Sequence, residues 1–342
     1  MNILWVKDGK LGHEKQVDAL LEEISSTQHI EITEIKASTV LNQILELITF
    51  GLLSKDIDGI ENIDFDLIIG AGNDTHLKIL NLKRRFKKAK TISILCPNII
   101  MRKSFDYICI PTHDSHKRIN KHKSIFFEGS LSKIYDGPTE ESIGMFSIGG
   151  MNKHYEFDED YILEQVCFLA SIHPYKMWHI FNSRRTPSSM NNKIKNLLSS
   201  FKNIIFEDVN SNDIKNQYQD ILHSASIRVI TKDSVNMVYE SLSSSGQSFV
   251  FDMEAKNSNK IVKNINALIN ERRIGCLDKT LMADGLFNLK LRPQNKHLDV
   301  MREVEKLAYT ILNKLNRYLF SSHFNLCLIN DCNSRLLSVS RD

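Results

Sequence analysis

Short apolar runs of four to six residues alternate with longer stretches whose apolar positions recur every three or four residues. The first pattern fits buried strands and the second fits amphipathic helices. Ile3 to Val6, Ile30 to Ile35, Phe65 to Ile69, Thr91 to Leu95 and Tyr107 to Ile110 read as strands. Glu14 to Ile24 reads as a helix with Val17, Leu20, Leu21 and Ile24 on one face, and His76 to about Phe86 as another. Val40 to Leu53 carries a wide apolar face. It fits a buried core helix or one lying in a membrane interface. The pattern breaks at Tyr135 to Ser142, which contains Asp136-Gly-Pro-Thr-Glu-Glu141 and predicts a linker.

A second alternation follows. Ile143 to Ile148, Met177 to Phe181, Ile204 to Glu207, Ser226 to Ile230 and Phe249 to Phe251 read as strands. Asp158 to Ile172, Lys193 to Phe201, Tyr218 to Ser224 and a long His297 to Leu319 read as helices. Strands that alternate with helices predict parallel sheets with helices on both faces. The expectation is therefore α/β: two doubly wound, Rossmann-like halves, residues 1–140 and 141–300, with a C-terminal helix and tail over 301–342. Two such halves would place a site in a cleft, at the carboxyl ends of their strands.

Composition is ordinary for a globular protein of 342 residues, with 42% hydrophobic and 25% charged residues, which agrees with two domains. The net charge of +3 does not mark the whole chain as a polyanion binder. The distribution is less even. Residues 78–123 hold thirteen Lys and Arg against Asp106 and Asp114, a net of +11. Such a window suits an anionic membrane surface, nucleic acid or a solvated helix face. Lys83-Arg-Arg-Phe-Lys-Lys88 has the form of a nucleic-acid patch, but no aromatic-interleaved sheet motif accompanies it. The six cysteines have no CxxC or metal-ligand spacing and fit reduced thiols. No secretory leader and no run of 18 apolar residues is present, so a cytoplasmic location is expected.

The chemistry concentrates at predicted strand ends. Thr231-Lys-Asp-Ser-Val-Asn-Met-Val-Tyr-Glu240 follows a strand and opens a helix. Helix-start N–H groups attract phosphate, and a glutamate two turns in can accept two ribose hydroxyls. This is a way to hold a nucleotide-sugar donor, with Thr231, Asp233, Ser234, Met237 and Glu240 as its residues. Ser183-Arg184-Arg185-Thr186-Pro187 offers paired guanidinium forks to a diphosphate, unless those arginines pair with carboxylates on the surface. Gly149 and Gly150 end another strand and admit a phosphate or sugar. Asp158-Glu-Asp160 has the spacing of a metal-binding DxD, yet it precedes a helix and reads as an N-terminal cap. No metal and no cofactor are therefore expected.

In the first half, Asp8-Gly-Lys-Leu-Gly-His13-Glu-Lys-Gln16 lies between a strand and a helix. A histidine there suits a general base for an acceptor hydroxyl. Asp8 competes for that role, as does His76. Gly12 and Gln16 would line the acceptor. Gly70-Ala-Gly72-Asn73-Asp-Thr-His76 is a second glycine loop, either acceptor lining or a tight strand-to-helix turn. It lacks the third glycine of a dinucleotide fingerprint.

Together these residues resemble the mitochondrial-fission-ELM-like family of glycosyltransferases. The matching pieces are Asp8-Gly-Lys-x-Gly-His-Glu-x-Gln16, Gly70-Ala-Gly-x-x-Thr-His76, Phe105-Asp106 to Pro111-x-His113-Asp114, Gly149-Gly150 with Lys153-His154-Tyr155, Ser183-Arg-Arg-Thr-Pro187 and Thr231-x-Asp-Ser-Val-x-Met-x-Tyr-Glu240. Asn73 stands where a histidine is usual. The resemblance implies the GT-B fold. It places donor binding around Arg184, Ser234 and Glu240, and acceptor binding around His13. The resulting expectation is a peripheral enzyme at the inner face of the cytoplasmic membrane. It would move a sugar from a nucleotide-sugar to a cell-envelope glycolipid or lipopolysaccharide-core acceptor, by an inverting, metal-independent route. The rivals are an inactive GT-B-like membrane scaffold and a nucleotide-sugar epimerase or hydrolase.

Overall fold

A computed structural model describes residues 1–37, 59–60, 62–114, 120–209, 214–281, 287–295 and 300–315. By internal packing the chain divides into two units. One is Met1–Ile110 with His116–Phe127 and Glu303–Asp342; the other is Pro111–Ser115 with Glu128–Arg302. The division differs from a break near residue 140 and a separate segment from 301. Glu128 pairs with Arg273 at 2.5 Å and Ser130 donates to Asn236 at 2.9 Å, which fixes the stretch before residue 140 to the second unit. The C-terminal helix over 303–315 buries Val304, Leu307, Ala308, Ile311 and Leu315. Its Lys314 ammonium lies 5.3 Å from the Tyr107 ring centroid, within the first unit.

The first unit holds a six-stranded sheet: β1 (Asn2–Lys7), β2 (Glu31–Lys36), β3 (Leu67–Ala71), β4 (Lys90–Ile94), β5 (Tyr107–Pro111) and β6 (Ser124–Phe127). Its order is β2-β1-β3-β4-β5-β6, and the pairings among β1 to β5 are parallel. α1 (Leu11–Thr27) buries Val17, Leu20, Leu21 and Ile24, the face its periodicity predicts. α2 (Asn73–Arg85) starts three residues before its predicted first residue. Asp74 in its first turn and Lys83, Arg84 and Arg85 in its last complement the helix dipole. Part of the basic window is thus a helix C-terminus. The predicted helix Val40 to Leu53 and the tail from 320 lie outside the described residues.

The second unit holds β7 (Glu140–Ser147), β8 (Met177–Phe181), β9 (Ile204–Glu207), β10 (Ala225–Ile230), β11 (Gln247–Val250), β12 (Gly275–Leu281) and β13 (Phe287–Arg292). The order is β13-β12-β11-β10-β7-β8-β9, parallel except for the β12–β13 edge pair. Adjacent residues point to opposite faces of a strand. Phe146, Trp178, Ile180, Val229 and Phe249 pack with α3 (Glu159–Ile172) and α4 (Ser188–Leu197). Met145 and Phe181 pack instead with Leu222 of α5 (Ile214–Ser224), and Ile230 and Val250 with α6 (Val235–Leu242) and α7 (Lys260–Asn270). Both units are therefore doubly wound, Rossmann-like α/β layers.

Arg228 on β10 is fully buried among the strand ends. Its guanidinium donates to the carbonyls of Leu222, Ala225, Ser244 and Ser245. Burial lowers its pKa to about 10, so it stays charged at neutral pH. It satisfies carbonyls at the ends of α5 and α6 that have no intrahelical partner.

Candidate functional site

Strand order reverses in each sheet between its first strand and the strand that opens the other wing. In the first unit that point lies between β1 and β3, and in the second between β7 and β10. Loops leaving the carboxyl ends of two such strands diverge to opposite faces and leave a crevice between them. The candidate residues lie at these two points.

At the first point, Asp8 follows β1 and His13 lies in the first turn of α1. His13 Nδ1 donates to Asp8 Oδ2 at 2.7 Å. The Asp8 side chain is 1% exposed, while that of His13 is 26% exposed. Asp8 Oδ1 accepts from the Lys10 N–H at 3.0 Å, so the carboxylate is held on both oxygens. With Nδ1 protonated, Nε2 carries the lone pair of the ring. Asp8 orients His13, and the two are not independent bases in this arrangement. Gly72, at the end of β3, supports the same geometry. It has φ +84°, and a Cβ there would sit 2.4 Å from the His13 ring. Only glycine fits.

Other expected residues of this loop pair are placed differently. His76 is buried, and its ring bonds the Ser93 hydroxyl at 2.8 Å. Ser93 donates onward to Leu95 O at 2.8 Å, so His76 Nε2 is the donor. Burial, and then the charge of His13, pushes its pKa down to about 4. A neutral, covered His76 does not line an acceptor site. Gln16 is also buried and donates to Gly12 O at 3.0 Å, which closes the first turn of α1. A Cβ on Gly70 would meet Val6 O at 2.8 Å, so this glycine serves strand packing. Asn73 is exposed at the start of α2. Lys10 pairs with Asp74 at 2.8 Å across the two loops, and that hydrogen bond raises its pKa.

At the second point, three loops meet on Asp233. Its Oδ2 accepts from the Gly150 N–H at 3.0 Å and from Arg185 Nη2 at 2.8 Å. Its main-chain oxygen accepts from Asn152 Nδ2 at 3.2 Å. Burial of this carboxylate raises its pKa, against the opposing pull of Thr231, Gly150 and Arg185. A Cβ on Gly149 would fall 2.3 Å from the Asp233 oxygens, and one on Gly150 2.0 Å from Arg185 O. The glycines therefore let three chain segments touch. Thr231 Oγ1 accepts from the Gly149 N–H at 2.7 Å, and Ser183 Oγ donates to Gly149 O at 2.9 Å. Thr186 Oγ1 donates to Ile148 O at 3.1 Å.

Thr186, Thr231, Ser183 and Asp233 are thus committed to holding the loops. The two arginines differ. Arg185 is 46% exposed and ion-paired with Asp233, while Arg184 is exposed. Ser234 is the N-cap of α6 and makes no side-chain cap bond. The first N–H groups of α6, Ser234 and Arg184 remain the outward donors. Met237, in the first turn of α6, is partly buried against the core. Glu240 is buried in the second turn of α6 and accepts from Tyr218 Oη at 3.1 Å. Asp158 caps α3 by accepting from the Tyr161 N–H at 3.0 Å, as its position predicts. Glu159 and Asp160 pair with Lys193.

Sequence reasoning missed Asn152 and Tyr218. Asn152 Oδ1 accepts from the N–H groups of His154 and Tyr155, a local turn for which asparagine is suited. Tyr218 lies on α5 and Glu240 on α6, with β10 between them in sequence, and no local signal joins them.

The family model described as "Mitochondrial fission ELM1" matches residues 11–315. The uncharacterized protein RP120 of Rickettsia prowazekii (strain Madrid E) is 26% identical over 319 residues, covering 80% of this chain and 89% of that protein. Among solved structures, the Escherichia coli ADP-heptose lipopolysaccharide heptosyltransferase II aligns with TM-score 0.46 and 11% identity, over 73% of this chain and 84% of that one. The UDP-GlcNAc 2-epimerase of Neisseria meningitidis, bound to UDP-GlcNAc, aligns with TM-score 0.45 and 12% identity, over 78% and 86%.

Proposed function

The chain belongs to the mitochondrial fission ELM1 family, and from that premise we propose that it is a glycosyltransferase using a nucleotide-sugar donor. One observation carries the reading. The oriented Asp8–His13 pair and the Asp233-centred loops each occupy the strand-order reversal of their own sheet. In doubly wound sheets, that position is where ligands bind.

The second unit is the donor side. The diphosphate faces the start of α6, with Arg184 as its free guanidinium and Arg185 held beside it by Asp233. Glu240 accepts from the ribose hydroxyls while keeping Tyr218 as its protein partner. The first unit is the acceptor side. His13 Nε2 takes the proton from an acceptor hydroxyl, and that oxygen attacks the anomeric carbon. The bond from that carbon to the nucleoside diphosphate breaks, and the leaving oxygen keeps the electron pair. Asp8 stabilises the imidazolium that forms. The arginines and helix-start N–H groups balance the charge of the leaving group without a metal. A single displacement inverts the anomeric centre. The acceptor in this reading is a cell-envelope glycolipid or lipopolysaccharide core, reached from the inner face of the cytoplasmic membrane.

A thermal-shift series with nucleosides, nucleoside diphosphates and nucleotide-sugars tests the donor half. A specific donor raises the melting temperature by mass action. Arg184→Ala should abolish the shift by diphosphates and spare the unliganded melt. A panel with no stabilising nucleotide would overturn the reading.

A further inference from the structure

The crossover from β4 to β5 carries an apolar tip that no part of the foregoing chemistry uses. Ile99 is 62% exposed and Ile100 is 88% exposed. Both ends of the tip are anchored, because Cys96 and Met101 pack against the core of the first unit. The turn between them is built. Asn98 Oδ1 accepts from the Met101 N–H at 3.2 Å, and Asn98 O accepts from the N–H groups of Met101 and Arg102 at 3.1 and 3.3 Å. Arg102 Nε donates to Pro97 O at 2.7 Å. Pro97 fixes its own φ. The two isoleucines are thus held outward by hydrogen bonds and by packing at either side.

The neighbourhood of the tip is cationic. Arg102 and Lys103 follow it directly, and Lys103 is exposed. Lys123 Nζ donates to Lys103 O and Phe105 O, both at 2.9 Å, which fastens a third cation beside them. Lys121 is exposed in the same turn. Lys314 Nζ donates to His122 O at 3.4 Å. The nearby carboxylate, Asp106, is already engaged by Thr91, Lys83 and Lys90.

We propose that Ile99 and Ile100 insert into an anionic membrane surface, with Arg102, Lys103, Lys121 and Lys123 on the lipid phosphates. The combination selects the occupant. A nucleic acid would use the cations and leave two isoleucines in water. A bilayer boundary takes the apolar tip below the headgroups while the cations stay among them. The contact rests on the glycosyltransferase reading only in placing the acceptor in a membrane, and its test is independent of any transfer activity.

Co-sedimentation of the full chain with vesicles of phosphatidylcholine alone, and of phosphatidylcholine with phosphatidylglycerol, is the experiment. The wild type should bind the anionic vesicles and largely ignore the neutral ones, and binding should weaken with added salt. Ile99→Ser with Ile100→Ser should cut the partition coefficient by about 10- to 100-fold. Lys103→Gln with Lys121→Gln, both exposed, should cut it by at least about tenfold and flatten the salt dependence. Both variants should keep the wild-type melting temperature, since the four side chains lie at the surface, and the same nucleotide-induced shift. A serine variant that binds like the wild type would overturn the proposal. So would a wild type that binds no vesicle, which would reassign the tip to a protein partner. Loss of vesicle binding in a protein that no nucleotide stabilises would support the membrane contact and sink the donor reading alone.

Discussion

Acidification should destabilise the first unit through His76, by an amount its surroundings set. The ring is buried against Phe105 and bonded to Ser93, and it takes a proton only near pH 4, against an ordinary value of 6.5. The unfolded chain takes that proton first. Between about pH 6.5 and about pH 4 the unfolded state therefore binds more protons than the folded one, and stability falls as pH falls. Each unit of difference is about 1.4 kcal/mol, so the loss across this window is on the order of 3 kcal/mol. Below about pH 4 both states are protonated and the slope from this group vanishes. The control is His76→Gln, which offers Ser93 a donor and does not titrate. Urea unfolding of both proteins across the window gives the assay. The stability difference between wild type and variant should change by roughly 3 kcal/mol from neutral to acid, with the variant the less sensitive. Parallel curves would refute the reasoning and show that His76 is open to solvent in the folded chain.

Three further outcomes follow from the same geometry. Gly72→Ala should push the His13 ring off its bond to Asp8, because the new Cβ falls 2.4 Å from it; turnover should drop by about 10²-fold or more while nucleotide affinity holds. An alanine variant with normal turnover would contradict this. Arg228→Met should cost roughly 3–5 kcal/mol in urea unfolding, because it strands buried carbonyls at the ends of α5 and α6; a loss within about 1 kcal/mol would show those carbonyls are solvated. Transfer activity should survive EDTA, since Arg184, Arg185 and the start of α6 supply the positive charge; loss in EDTA with recovery on adding Mg²⁺ or Mn²⁺ would reverse that assignment.

The elements that sequence located to the residue are those bounded on both sides by polar groups with a task. β8 ends just before Asn182, whose side chain bonds Asn191 and Asp208, and β9 starts after Asn203, which bonds Ala170 O. α7 was legible and missed. Asn259 caps it by accepting from two N–H groups, and Val262, Ile265 and Leu268 repeat at helical spacing. β12 and β13 are harder, because Asp278 and Lys279 interrupt the apolar run and the pairing is antiparallel at a sheet edge. Sheet order is non-local and no motif encodes it.

The site was legible as loops and illegible as contacts. Asp8, His13, Gly149, Arg185 and Asp233 all fall at strand ends, where the alternating pattern puts them. Which side chains turn outward depends on close approaches at Gly72, Gly149 and Gly150, and on pairs distant in sequence such as Arg185 with Asp233. Hence His76 read as a site residue although it packs inward. Arg184 and Arg185 read as equivalent although one of them is tied. Asp8 read as a rival to His13 although the two form one unit.

The central claim is sugar transfer by an oriented histidine, and product analysis addresses it most directly. The purified full chain, mixed with a panel of nucleotide-sugars and an envelope glycolipid extract, is followed by mass spectrometry of the lipid fraction and by release of nucleoside diphosphate. One donor should yield a glycolipid heavier by one sugar residue, with equimolar nucleoside diphosphate. His13→Ala should slow that transfer by about 10²- to 10⁴-fold without weakening donor binding. Nucleoside diphosphate released with no lipid gaining a sugar, or transfer unchanged in His13→Ala, would contradict the account.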